Sequence, residues 1–162
     1  PARPTAPKAL APIKGVADAR IWKMVRRVYK EGEAIGPDSP PEDLHELRKS
    51  CKKLRYLMEF FRRLYPTAEV GACIKTLKRF QDNLGAFQDY SFQVVHLGEF
   101  LDDMDREGVL EEATRAAMEA LMAELHRRRE GVRGAFTQRF ADFSREENRA
   151  AFRTLFRPPK DP

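Results

Sequence analysis

Between Leu44 and Tyr65 the chain repeats basic side chains at a spacing suited to holding an anion with many charges. At the helical period of about 3.6 residues, His45, Arg48, Lys52 and Arg55 fall on one narrow arc, beside an apolar stripe of Leu44, Leu47, Cys51, Leu54, Met58, Phe61 and Tyr65. Lys49 and Lys53 widen the basic face. Cations opposite an apolar stripe are ordinary for a solvated amphipathic helix. A helix shaped only for solubility usually mixes signs, however, because opposite charges four residues apart stabilise it and like charges repel. Here seven Lys/Arg stand against two acids, Glu46 and Glu59, so the imbalance points to a polyanionic ligand. Arginine would offer forked donors to phosphate oxygens, and lysine a mobile point charge that tolerates an irregular chain.

Two other segments repeat the pattern. Arg20, Lys23, Arg27 and Lys30 form a second basic stripe beside the apolar positions Ala17, Ile21, Met24, Val25 and Val28. Further along, Lys75, Lys78, Asp82, Gly85 and Asp89 share one polar face. Carboxylates sit badly beside phosphates, so Asp82 and Asp89 are assigned to orienting neighbouring cations. Gly85 leaves two readings open, a tight helix crossing or the close approach of a ligand.

Catalytic chemistry finds little support. His45, His96 and His126 are scattered, and there is no H-E-x-x-H, no phosphate-cradling glycine loop and no nucleophile with its base. The acidic run Asp102, Asp103, Asp105 and Glu107 reads as a helix end, not a metal site. No catalytic residue, metal or cofactor is therefore expected. Cys51 and Cys73 lack metal-ligand spacing and read as buried reduced thiols, which fits a cytoplasmic setting. No signal peptide or membrane-length apolar run is present. The net charge of +5 is local: residues 1–100 hold 18 basic and 12 acidic side chains, whereas residues 101–162 hold 12 and 13. That asymmetry places the positive field in the first part of the chain.

The elements that must position these residues are helices. Pro1, Pro4, Pro7 and Pro12 mark residues 1–12 as an extended arm or linker remnant, and 158–162 as a tail. Between them, residues 13–157 read as one domain. A first helix is expected over about 14–33, followed by a breaker at Gly36-Pro37-Asp38-Ser39-Pro40-Pro41 in which Ser39 is a candidate cap. The central helix should run to about Tyr65-Pro66, with Thr67 capping the next. That third helix has apolar positions Ile74, Leu77, Phe80, Leu84, Phe87, Val94, Val95 and Leu101, and a break or kink is expected at Gly85. After Gly108 a fourth helix should bury Leu121, Leu125, Val132, Phe136, Phe140 and Phe143, and Ser144-Arg145-Glu146-Glu147 reads as a capping box for a short last helix. The expectation is all-α: an antiparallel helical bundle of four long helices plus a short C-terminal helix.

The run Leu44-His45-Glu46-Leu47-Arg48, Lys52-Lys53-Leu54-Arg55-Tyr56 and Glu59-Phe60-Phe61, followed by Leu77-Lys78, Gln81-Asp82, Leu84-Gly85 and Asp89, resembles the CHAD family, the conserved histidine α-helical domain. The resemblance implies a helical bundle that binds inorganic polyphosphate through a basic groove. The matching positions are His45, Arg48, Lys52, Lys53, Arg55 and Tyr56 of the first motif, with Lys78, Gln81 and Asp89 of the second. Arg20, Lys23 and Arg27, together with Lys49 and Lys75, are added from stripe geometry. Periodicity alone favours a His45 that packs near the helix start; the resemblance assigns it to the anion. It also implies a link to triphosphate-processing domains and to polyphosphate or polyhydroxyalkanoate granules. A full CHAD domain looks like two related halves, each with its own motif, and this chain has one motif and is most like the C-terminal half. The facing wall would then come from a separate N-terminal half or from a second copy in a homodimer.

Two other classes stay open on the residues themselves. The same field could bind nucleic acid, although Trp22 and Tyr56 lie off the densest basic line, where stacking on bases is less natural. The bundle could also serve as an adaptor that docks on acidic proteins or storage granules.

Overall fold

A computed structural model describes residues 12–160; the expected proline-rich arm therefore lies almost wholly outside the described residues. Five α-helices account for nearly all of it: α1 (Ile13–Ala34), α2 (Pro41–Phe60), α3 (Thr67–Arg106), α4 (Glu112–Phe143) and α5 (Glu146–Phe156), with a 3-10 turn at Arg62–Leu64. Among the described residues there is no strand, so the chain is an all-α helical bundle. No described helix is long and apolar enough to cross a membrane.

The helices fall into two units. The first comprises α1, α2, α3 up to Gln81, the end of α4 from Ala141, and α5. Here α1 packs on both α2 and α5. The apolar stripe of α2 goes inside as expected, with Leu44, Leu47, Cys51, Leu54 and Met58 all buried, and it meets Ile21, Val25 and Val28 in the same core. An aromatic cluster fills the rest. Phe143 stacks on Tyr29 at 5.1 Å and on Phe80 at 4.9 Å, and Phe152 meets Tyr29 and Phe143 edge-on. Such pairs add about 0.5–1.5 kcal/mol each beyond the area they bury. At one corner the Tyr65 hydroxyl donates to Asp18 at 2.7 Å, its ring packs edge-on against Phe156 at 4.8 Å, and Lys14 lies over it at 4.7 Å. Tyr65 thereby ties the turn after α2 to α1 and α5.

The second unit, Asp82–Phe140, is a helical hairpin of α3 and α4. Its register is antiparallel: Arg115 pairs with Asp105 at 2.6 Å, Gly98 faces Met122, and Asn83 Nδ2 donates to the Val132 carbonyl. The acidic run is indeed the end of a helix. Gly108 adopts φ +69°, its N–H bonds the Asp105 carbonyl and the Val109 N–H bonds that of Met104, which is the Schellman closure that favours glycine.

The helix ends depart from expectation in several places. Ser39 does not cap α2: its hydroxyl accepts the Gly36 N–H at 2.9 Å, and Pro40 occupies the capping position ahead of Pro41, which has no N–H to satisfy. α2 stops at Phe60, because Pro66 forces Tyr65 into extended backbone (φ −125°, ψ 157°) and the chain tightens to 3-10 before it. Thr67 is the first residue of α3, not its cap; the Pro66 carbonyl receives the Val70 N–H. The Ser144 capping box does not form either. Arg145 stands at the capping position and its side chain does not cap α5, and Ser144 donates back to the Ala141 carbonyl. Instead, Asn148 Nδ2 donates to the carbonyls of Asp142 and Phe143 and Arg149 Nε to that of Ser144, so α5 side chains close the end of α4. α3 runs through Gly85 without a break, since a mid-helix glycine costs only about 1 kcal/mol and buried Leu84 and Phe87 flank it. Val95 and Leu121, expected inside, are 55% and 48% exposed.

Leu54 is fully buried in the α2 seam, so Leu54→Ala should cost about 2–5 kcal/mol in denaturant unfolding; a loss below about 1 kcal/mol would contradict this core. Burial also lifts the Cys73 thiol from its ordinary 9.0 to about 11. A folded thiol that keeps its proton longer than the unfolded one contributes stability that is intact below about pH 9 and lost as pH rises toward 11. Stability should therefore fall over that window, and less steeply in Cys73→Ala.

Candidate basic face

α2 presents its cations because its opposite face is committed to the core. His45, Arg48 and Arg55 flank the seam and are half-buried, while Lys49, Lys52, Lys53 and Tyr56 point outward. On α1, Arg20, Lys23 and Arg27 are exposed, as are Lys75 and Lys78 on α3.

Glu46 of α2 lies in the field of cations from both α1 and α2. Lys49 donates to its carboxylate at 2.8 Å, and this bond holds Glu46 below the usual carboxylate range, with His45 and Arg27 adding to the effect. Arg27, from α1, bonds Glu31 at 2.6 Å; that bond raises the guanidinium's proton affinity, and Glu46 across the helix pair raises it further. Lys49 is thus the cation bonded to Glu46, while His45 and Arg27, the latter held by Glu31, act on it as nearby charges. Arg55 is the other partnered cation of the face, with Nε 3.7 Å from Glu59. Its Nε is buried without a hydrogen bond, as is Gln81 Oε1, and each such unmade bond costs about 1–3 kcal/mol.

Arg20, Lys23, Arg48, Lys52, Lys53, Lys75 and Lys78 form no ion pair among the described residues. The later arginines behave differently. Arg127 and Arg128 pair with Glu124, Arg129 with Glu130, Arg145 with Asp142, Arg149 with Glu33 and Arg153 with Glu146. Most of the arginines on α4 and α5 are compensated, whereas on α1, α2 and the start of α3 only Lys14, Arg27, Lys49 and Arg55 have carboxylate partners among the described residues.

Tyr56 sits closer to this charge than its register implied. Its ring is half exposed, with Lys52 Nζ 5.8 Å and the Arg55 guanidinium 5.3 Å from its centroid. The aromatic therefore belongs to the basic face and is not set apart from it. Neither this contact nor the junction at Glu46 was apparent in the sequence, although the Glu46/Lys49 spacing was a signal for the second.

Asp82 and Asp89 are exposed, lie in the second unit and form no ion pair among the described residues. A side chain added at Gly85 would meet nothing within 4 Å, so no helix crosses tightly there and the glycine leaves open space.

Because Lys52 and Lys53 stand in solvent without carboxylate partners, Lys52→Ala with Lys53→Ala should leave stability unchanged within about 0.5 kcal/mol, or raise it slightly by easing repulsion. Denaturant unfolding checks this; a loss above about 1 kcal/mol would give these lysines a structural role.

A family model for the CHAD domain matches residues 1–98, which span α1, α2 and α3 as far as Gly98. No curated protein matches the chain. The matched segment covers more than half of the sequence and contains every cation of the uncompensated face, and on this evidence the chain belongs to the CHAD family.

Proposed function

We propose that this protein binds inorganic polyphosphate without transforming it. The ligand would lie along a face of the first unit formed by Arg20, Lys23 and Arg27 of α1, His45, Arg48, Lys49, Lys52, Lys53, Arg55 and Tyr56 of α2, and Lys75 and Lys78 of α3, with Gln81 in a supporting position. The observation that carries the reading is the set of cations left without carboxylates on helices that otherwise pack well. Membership of a family associated with polyphosphate- and triphosphate-related functions supports it.

The chemistry follows from the side chains. Polyphosphate is a flexible chain with a charge on each repeat, so a binder needs several cations in series and no shape-specific pocket. Half-buried Arg48, whose stem is held by packing, would register the strand with forked bonds to phosphate oxygens. Exposed Lys52 and Lys53 would neutralise it and follow its motion. Glu46 would hold Lys49, and Glu31 Arg27, until phosphate oxygens compete for them. His45 would add a ring N–H donor to the phosphate oxygens.

One observation favours a second reading. Tyr56, half exposed and flanked by Lys52 and Arg55, is a stacking platform of the kind that single-stranded nucleic acid uses. Competition separates the two. In a titration of labelled polyphosphate, Arg48→Ala with Lys52→Ala should weaken binding at least about tenfold, since hydrogen bonds to charged groups contribute about 1.5–3 kcal/mol each. Single-stranded DNA at equal charge concentration should displace polyphosphate poorly, and Tyr56→Ala should change polyphosphate affinity little. Equal displacement, with binding lost in Tyr56→Ala, would transfer the face to nucleic acid.

A further inference from the structure

Within the first unit an open cleft of about 960 Å³ runs along α1 and is walled by Arg149 and Arg153 of α5 and by Pro158 beyond it. That volume is in the range of small-molecule sites. α5 lies antiparallel to α1: Arg149 near its start pairs with Glu33 at 2.7 Å and lies over Tyr29, whereas Phe156 at its end packs on Tyr65, which bonds Asp18. The two ends of the cleft therefore differ. Ala19, Trp22 and Pro158 belong to an apolar end, and Lys30, Glu33 and Arg149 to a charged one.

The carboxylates that line the cleft are already engaged. Glu31 holds Arg27 at 2.6 Å and Glu33 holds Arg149, while Arg153 pairs with Glu146. What is left over is Lys23, Arg26 and Lys30, all exposed and without an ion pair among the described residues. Their spacing of three and four sets them on one ridge of α1, two turns or about 10 Å long. Trp22, half-buried, stands one turn before Arg26 on the side of that ridge nearer α5. Three uncompensated cations in series suit a short run of phosphates. Inorganic phosphate makes no use of an indole face, whereas a planar base stacks on one whatever its sequence identity.

We infer that the cleft between α1 and α5 binds a nucleoside triphosphate, with the base against Trp22 at the apolar end and the phosphates along Lys23, Arg26 and Lys30. The geometry suits one nucleotide and not a strand. The ridge ends after Lys30 at the Glu33–Arg149 pair, and Tyr29, the other aromatic of the cleft, is buried beneath Arg149 and offers no second platform. The inference does not rest on the polyphosphate proposal. It shares Lys23 and the Arg27 rim with that face, but Trp22, Arg26 and Lys30 lie outside it.

Trp22 is the one tryptophan of the chain, so its fluorescence reads the cleft directly. In the full chain, ATP should quench Trp22 emission saturably and bind at least about fivefold more tightly than inorganic tripolyphosphate, which carries comparable charge and no base. By calorimetry, Trp22→Ala should bring ATP affinity down to that of tripolyphosphate. Arg26→Ala with Lys30→Ala, both at exposed positions, should weaken ATP binding at least about tenfold and leave the emission of the unliganded chain unchanged. ATP binding should persist in Lys52→Ala with Lys53→Ala, which separates this cleft from the polyphosphate face. Equal affinity for ATP and tripolyphosphate, an emission that ATP does not change, or ATP binding lost in the Lys52/Lys53 variant and kept in the Arg26/Lys30 variant would overturn the inference. Single-stranded DNA that quenches Trp22 at a lower base concentration than ATP would also overturn it, in favour of a strand.

Discussion

Like charges crowded on one helix repel, and the helix survives only if its other face is held. That constraint organises the first unit. Leu44, Leu47, Leu54 and Met58 are buried along α2, and each contributes about 1.5–3 kcal/mol of transfer free energy. Like-charge pairs a turn apart cost a few tenths of a kcal/mol each. Packing wins by a wide margin, so α2 can display Arg48, Lys52 and Lys53 without carboxylates to balance them. A surface helix with ordinary sign mixing would fold equally well, so folding does not account for the imbalance, which is the basis of the proposed polyanion binding.

The rest of the unit protects that arrangement. α1 lies against α2, and the Arg27 charge, held by Glu31 at 2.6 Å on α1, still acts on the Glu46 carboxylate of α2. The aromatic cluster of Tyr29, Phe80, Phe143 and Phe152 anchors α1, α3, the end of α4 and α5 behind it. Burial holds the Tyr29 hydroxyl well above its ordinary range, and Arg149 over the ring at 4.2 Å opposes the shift only partly. These contacts make the cation-bearing helices a fixed scaffold, which lowers the ordering cost of binding a flexible polyanion.

Where the sequence was legible, one period sufficed. The α2 stripe is buried at Leu44, Leu47, Cys51, Leu54 and Met58, and α1 at Ala17, Ile21, Met24, Val25 and Val28, because burial and helical repeat coincide on a helix with a single apolar face. The caps were illegible for a physical reason. Ser39 had a nearer donor in Gly36, and the end of α4 is closed by Asn148 and Arg149 from the next helix, a partnership that only the tertiary turn creates. Val95 and Leu121 misled because apolar periodicity cannot distinguish a face that meets its own chain from one left outside. For the candidate site, the identity of the cations was readable from spacing. Their pairing was not: Glu46 as a junction and Tyr56 among the cations depend on how α1 packs and on side-chain direction.

The most direct test of the central claim is the salt dependence of polyphosphate affinity. If uncompensated cations on α1, α2 and α3 hold the chain, log K should fall linearly with log salt, with a slope of about −0.7 for each phosphate engaged, as for flexible single-stranded polyanions. Removing Arg48 and Lys52 should make that slope shallower. An affinity indifferent to salt, or a slope unchanged in the variant, would contradict the account.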